Sequence, residues 1–265
     1  MKILIRGAGD LATGIAAELW ERGHQILMTD VAIPLTVRRE VAFSRAVYEE
    51  HAVVEGMEAV LAESFEEAEA IMATRKIAVM VDEKAEVRKE YLPDVLVDGI
   101  MAKKNLGTRI SDAPLVIGIG PGFTAGEDVD VVIETKRGHN LGRVIRSGSA
   151  VPNTGIPGII GGYGKERVMH AQAEGILRNA ASIGDIVEAR AVIAEIETEN
   201  GTVPVEASLS GLLRGLIRDG YPVTKGFKIA DIDPRKEELQ NCFTISDKAR
   251  CIAGSVLEVI CGELE

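Results

Sequence analysis

Lys2-Ile3-Leu4-Ile5-Arg6-Gly7-Ala8-Gly9-Asp10-Leu11-Ala12-Thr13-Gly14 is the stretch on which the reading of the fold turns. Ile3-Leu4-Ile5 reads as a buried strand, and from Asp10 apolar residues recur at Leu11, Ile15, Ala16 and Leu19 with helical spacing. Between them stands a G-x-G-x-x-A pattern. Gly7 permits the tight turn, Gly9 lets a pyrophosphate approach the backbone, and Ala12 lets the helix lie close to the strand. The first N–H groups of the helix, with its dipole, favour an anion there. Asp10 opens that helix and joins the candidate cofactor-binding set. Residues 25–30 read as a second strand ending in Asp30, 21 residues after Gly9, where an acid would bond a ribose hydroxyl. This is the pattern of a Rossmann-like domain, with its nucleotide or without it.

Working outward, short buried strands are expected at 77–81, 95–97, 115–119 and 129–133. Helices are expected at 36–48 and after the cap Ser64 to about Thr74, with extended chain at 52–61 broken by Gly56. Strands alternating with helices predict a parallel, doubly wound sheet. Residues 149–164 turn to Gly, Pro, Asn and Thr and read as the exit from the sheet domain.

Beyond that exit, residues 174–196 can be laid on 210–232 at a constant offset of 36. Gly175 then falls on Gly211, Leu177 on Leu213, Arg178 on Arg214 and Gly184 on Gly220. Two such turn–strand–turn–strand units would bury each other's apolar faces as a small pseudo-symmetric β-sandwich. The spacing resembles the biotinyl/lipoyl barrel–sandwich hybrid, which carries its cofactor on a lysine between the halves. The corresponding residues 197–203 here contain no lysine, so no swinging arm is expected. The expected organisation is thus α/β: 1–165 Rossmann-like, 166–240 barrel–sandwich, and 241–265 a C-terminal strand and helix capped by Ser246.

The 265 residues carry a net charge of −11, which repels polyanions, and Lys and Arg read as scattered, so nucleic acid is excluded as a partner. No apolar run approaches the ~20 residues of a membrane helix. With no signal peptide read at the start and three unpaired cysteines, a reducing cytoplasm is expected. No C-x-x-C or H-E-x-x-H spacing points to a metal.

Further candidate residues cluster after the later strands. Gly118, Gly120 and Gly122, with Thr124, form either an anion-binding nest or an ordinary turn. Asp98, Lys103, Asn105 and Arg109 suit an oxyanion, although a solvated run explains the lysine equally. His139, in a polar Gly-flanked loop, is the best acid/base candidate among the histidines. Cys242 directly precedes an expected strand and capped helix, which would lower its pKa; a buried, inert thiol is the alternative.

Several long motifs carry a family resemblance: Gly-Pro-Gly-Phe-Thr-Ala-Gly at 120–126, Pro-Asn-Thr-Gly-Ile-Pro-Gly at 152–158 and Cys-Phe-Thr-Ile-Ser-Asp-Lys-Ala-Arg at 242–250. With the glycine-rich opening and the segments 94–103 and 105–110, they resemble the YqeB proteins over nearly the whole chain. The resemblance implies a role in maturing selenium-dependent molybdenum hydroxylases, with the apo-hydroxylase as partner. It also implies handling of selenium or of the molybdenum cofactor, and it favours Cys242 if a thiol takes part. The ligand expected is a dinucleotide, either the molybdenum pterin dinucleotide or NAD(P). A nicotinamide-dependent oxidoreductase and a non-enzymatic docking chaperone remain as alternatives, and catalysis and homo-oligomer formation are left open.

Overall fold

Strand β1 (Lys2–Arg6) is central because every residue from Ile3 to Arg6 is buried, leaving both its faces to be covered by protein. The computed structural model describes residues 1–153, 155 and 158–264. After β1 come α1 (Asp10–Glu21), β2 (Gln25–Asp30), α2 (Ala46–Glu49), β3 (His51–Val54), β4 (Met57–Ala62), α3 (Phe65–Ala73) and β5 (Ile77–Val81). Then follow α4 (Arg88–Tyr91), β6 (Val95–Asp98), β7 (Leu115–Ile119), β8 (Thr124–Ala125), β9 (Val131–Ile133), β10 (Val144–Ile145) and β11 (Gly148–Ser149). The remainder is β12 (Val168–His170), β13 (Gly175–Asn179), β14 (Ile186–Val187), β15 (Val192–Thr198), β16 (Gly201–Glu206), β17 (Gly211–Leu216), β18 (Pro222–Val223), β19 (Lys228–Asp233) and α5 (Asp247–Leu264).

Two compact units form from interleaved segments. The first comprises Met1–Pro34, Ala42–Thr154 and Ile245–Glu265; the second comprises Leu35–Val41 and Gly155–Thr244. The first holds a nine-stranded sheet in the order β10-β9-β7-β6-β1-β2-β5-β4-β3. Its interior strands run parallel, while β3 and β10 are antiparallel at the two edges. Glu55 and Gly56, both at positive φ, close the β3 and β4 hairpin that makes one of those edges. Helix α3 starts at Ser64, whose side chain accepts from the Glu67 N–H at 3.2 Å. Helix α5 packs on α1, where a Cβ on Gly14 would lie 2.8 Å from that of Ala249.

The second unit has two antiparallel four-stranded sheets, β12-β19-β17-β14 and β16-β15-β13-β18. The offset of 36 carries β13, β14 and β15 onto β17, β18 and β19, so each sheet takes one strand from the other half. Packing repeats with the sequence. A Cβ on Gly175 would meet the Glu197 carbonyl oxygen at 2.1 Å, and one on Gly211 would meet that of Asp233 at 2.5 Å. At these two equivalent positions a neighbouring backbone occupies the space of a side chain.

This corrects the expected fold class, a Rossmann-like parallel sheet followed by a biotinyl/lipoyl-like barrel–sandwich. The large sheet is mixed, and helices separate only some of its strands: α1, α3 and α4 lie between β1 and β2, β4 and β5, and β5 and β6, but none lies between β6 and β7 or β9 and β10. Between β6 and β7, residues 99–114 cross over without a helix because turn residues and side-chain bonds hold them. Asn105 Oδ1 accepts from the N–H groups of Gly107 and Thr108 at 2.8 and 2.9 Å. The helix expected at 36–48 breaks into short 3-10 turns and the four-residue α2. The strand expected at 241–245 is also absent: Leu239–Cys242 is a 3-10 turn.

A basic edge at the exits of the parallel strands

In the first unit the loops that leave the carboxyl ends of β1, β6, β7 and β9 lie against one another. Gly7 adopts φ +94°, and a Cβ there would come within 3.0 Å of the Ile100 backbone. The glycine therefore serves a close approach between two loops as well as the turn. Gly9, with φ −68° and ψ −179°, stands at the N-cap of α1 with no side-chain cap. First-turn amides of a helix have no acceptor within it; here Asp10 Oδ1 accepts from Leu11 N–H at 3.0 Å. Ala12 lies under Gly99, where a Cβ would be 3.1 Å from its own.

Asp30 accepts from the N–H of Ala8 at 2.9 Å and from that of Val31 at 2.8 Å. Its carboxylate thus fastens the glycine turn. Burial pushes its pKa up, against the pull of those two amides.

Asp98, expected to serve an oxyanion, is buried in a closed network. Thr108 Oγ1 donates to its Oδ2 at 2.6 Å, and Arg6 Nη1 donates to Thr108 Oγ1 at 2.8 Å and reaches Asp98 at 3.5 Å. The other Arg6 nitrogens donate to the carbonyl oxygens of Glu83 and Leu106. Asp98 and Asn105 therefore shape the 99–114 crossover. Lys103, Lys104 and Arg109 on the same loop are exposed. A Cβ on Gly122 would lie 2.6 Å from the Lys104 nitrogen, and one on Gly120 2.7 Å from Thr135 Oγ1. Thr124 N–H donates to Asp128 at 2.9 Å, and its hydroxyl pairs with that of Ser149 at 3.2 Å.

At the exit of β9, buried Glu134 accepts from the N–H groups of Thr135, Lys136 and Val151. Arg137 then pairs through both nitrogens with Asp247, at 2.7 and 2.9 Å. That contact brings the start of α5 to the edge, and with it Lys248. Lys248 is half-buried, within electrostatic reach of Arg137, Asp10, Glu134 and Asp247. Burial, then the neighbouring Arg137, hold its ammonium below the usual lysine range, while the three acids oppose that shift. Sequence reading missed Lys248, because 238 residues separate it from Asp10.

The view of Lys and Arg as scattered also needs correction. The stretches 99–109 and 135–149 carry Lys103, Lys104, Arg109, Lys136, Arg137, Arg143 and Arg146, and none of the 41 acidic residues of the chain. All but Arg146 follow β6 and β9 on the same edge of the sheet; Arg146 follows β10, which runs antiparallel to β9, and pairs with Glu263 near the other end of α5. Within these two stretches cations stand without acids, although the chain as a whole is strongly negative.

His139 is exposed on the second of these loops. Cys242 belongs to the other unit, where it is buried with Sγ 4.0 Å from the Leu213 carbonyl oxygen. Burial raises its thiol pKa, with Arg214 and Arg38 opposing. The expected lowering is therefore corrected: the thiol ends a 3-10 turn and does not precede a strand, and desolvation outweighs the two guanidinium groups. Within the motif at 152–158, Thr154, Ile156 and Pro157 lie outside the described residues.

No family model matches the chain. It is similar to the uncharacterized protein YqeB of Escherichia coli K12, with 48% identity over 259 residues, 97% of this chain and 47% of that protein. The chain thus spans about half the length of the curated relative it matches. Among solved structures it is similar to the product-bound ectoine utilization protein EutE (DoeB) from Ruegeria pomeroyi, at 9% identity and TM-score 0.24, covering 87% of this chain and 56% of that one. It is also similar to a succinylglutamate desuccinylase/aspartoacylase from Rhodobacter sphaeroides, at 13% and 0.30, and to an aspartoacylase family protein from Mesorhizobium loti, at 12% and 0.29. Each of these two covers 87% of this chain and 84% of its own. Likenesses of this size assign no activity. Among the described residues no helix is long and apolar enough to cross a membrane.

Proposed function

Taking as premise the YqeB family that the 48% identity supports, we propose that the basic edge of the first unit binds a pyrophosphate-bearing dinucleotide. The observation that carries this reading is the segregation of charge: six cationic side chains, of which Arg137 is paired with Asp247, and no acid on the segments 99–109 and 135–143. A pyrophosphate would take the first-turn amides of α1, with Lys248 and the loop cations neutralising its charge. Asp10 is the counter-argument, since an acid already stands in that first turn. Lys248 lies within electrostatic reach of it.

The family resemblance puts the molybdenum pterin dinucleotide first, in a factor that serves maturation of a selenium-dependent molybdenum hydroxylase. NAD(P) comes second, because Asp30 already accepts two backbone amides where a ribose hydroxyl would need it. Cys242 is a weak candidate for selenium chemistry, because burial keeps it in the neutral thiol form.

Gly9→Val is the direct test, since the backbone of Gly9 is one that any residue adopts. A side chain there would block the approach of a phosphate. Titration with purified molybdenum pterin dinucleotide should show binding to the wild type and at least a tenfold loss in the variant. Equal binding by both proteins sinks the reading.

A further inference from the structure

A cavity of about 390 Å³ opens beside β10, lined by Asn140, Arg143, Ser147 and Ser149 around Val144 and Ile145. Its size stands at the lower end of small-molecule sites, room for one substituent of a ligand. Its polar lining is dominated by donors: a guanidinium, an amide and two hydroxyls. Among the described residues Arg143 has no ion pair. Arg146, also on the wall, is neutralised by Glu263. Glu134 reaches the wall as well, but three backbone N–H groups engage its two oxygens.

The walls are fixed by the backbone. Arg143 N–H donates to the Asn140 carbonyl at 3.0 Å, and the Arg143 carbonyl accepts from Glu134 N–H at 3.0 Å. Val144 and Ile145 pair with Ile133 and Val132, and Ser149 pairs with Thr124. The backbone that carries the donors is thus fixed, and the Ser149 hydroxyl is held by that of Thr124 at 3.2 Å.

We propose that this cavity is a second anion subsite, taking a phosphate monoester, with Arg143 as its charged anchor. An arginine fork and hydroxyl donors match a tetrahedral oxyanion better than a neutral group. The proposal deepens the reading given above: the ligand would present one anionic group to α1 and another to this cavity.

The test uses inorganic phosphate as probe and the backbone amide NMR signals of the full chain as readout. Phosphate should move the amides of Asn140, Arg143, Ser147 and Ser149 in the wild type and in Gly9→Val alike. In Arg143→Gln the affinity read from these shifts should fall at least tenfold, and Arg143→Lys should restore part of it. No movement of these amides in the wild type, or equal affinity in Arg143→Gln, overturns the proposal. If the shifts persist in Gly9→Val while both proteins bind the dinucleotide equally, the cavity stands and the reading of the α1 site falls.

Discussion

At the exit of β6, Arg6, Asp98 and Thr108 are buried and bond one another, so their charges are satisfied inside the protein. At the exit of β9, Arg143 is exposed, Lys136 is exposed, and Lys248 is held below its usual range by burial and a second cation. Both groups stand at the carboxyl edge of one sheet; from the sequence Asp98 reads as a candidate for an oxyanion, whereas Lys248 does not read as part of any site. The difference is in what completes them. The first is complete once the chain has folded; the second keeps positive charge that an added anion would satisfy.

Breaking the first group should produce the largest effect. Asp98→Ala leaves Arg6 buried without its carboxylate, and loss of one partner of a buried pair costs about 3–5 kcal/mol. Urea unfolding should show it, with the smaller loss in Asp98→Asn. A loss below about 1 kcal/mol in Asp98→Ala would mean that the network is not closed as described.

The second group should respond in the opposite way. Lys248→Gln is expected to leave the unfolding midpoint nearly unchanged, because it removes a half-buried charge already disfavoured by its site. Pyrophosphate affinity should nevertheless fall about tenfold, equivalent to about 1.4 kcal/mol. A large change in the midpoint with binding intact would exchange the roles of the two groups.

These contrasts also show what could be read before folding. The G-x-G-x-x-A turn is local, and so is the Ser64 cap. The offset of 36 is a property of the chain, and it reappears in Gly175 and Gly211 facing equivalent carbonyl oxygens. The antiparallel edges were hidden because a short apolar run does not disclose the direction of its partner. Arg6 reads as the last residue of a strand and proves to be the anchor of a loop 100 residues away. The basic edge was visible in residue types but masked by a net charge of −11. Lys248 became legible only when Arg137 and Asp247 brought α5 to the site.

Dependence on pH separates the groups further. Folding raises the pKa of Asp98, chiefly through burial, so the folded state holds its proton more tightly than the unfolded chain does. Stability from this group is therefore greatest below the unfolded value of 3.8 and declines as pH rises to the folded one. Asp98→Asn should flatten that part of the stability curve. For Lys248 the folded pKa is lowered, so anion binding should fade as pH rises, at a pH below the ordinary 10.5. Lys248→Arg, which stays charged, should carry binding to higher pH; an unchanged profile would remove Lys248 from the site.

The smallest effect is expected at Asp247. Its pair with Arg137 is largely exposed, and such pairs contribute about 0–1 kcal/mol. Asp247→Asn should shift the unfolding midpoint barely, yet strengthen pyrophosphate binding slightly by freeing Arg137. Weaker binding would show that the pair positions the loop.

The central claim is that the basic edge binds an anionic ligand through charge. Calorimetric titration of the wild type with pyrophosphate at rising salt tests it most directly. The account predicts measurable binding that weakens steeply with salt and is weaker in Lys248→Gln at every concentration. Binding that ignores salt and is the same in Lys248→Gln would contradict it.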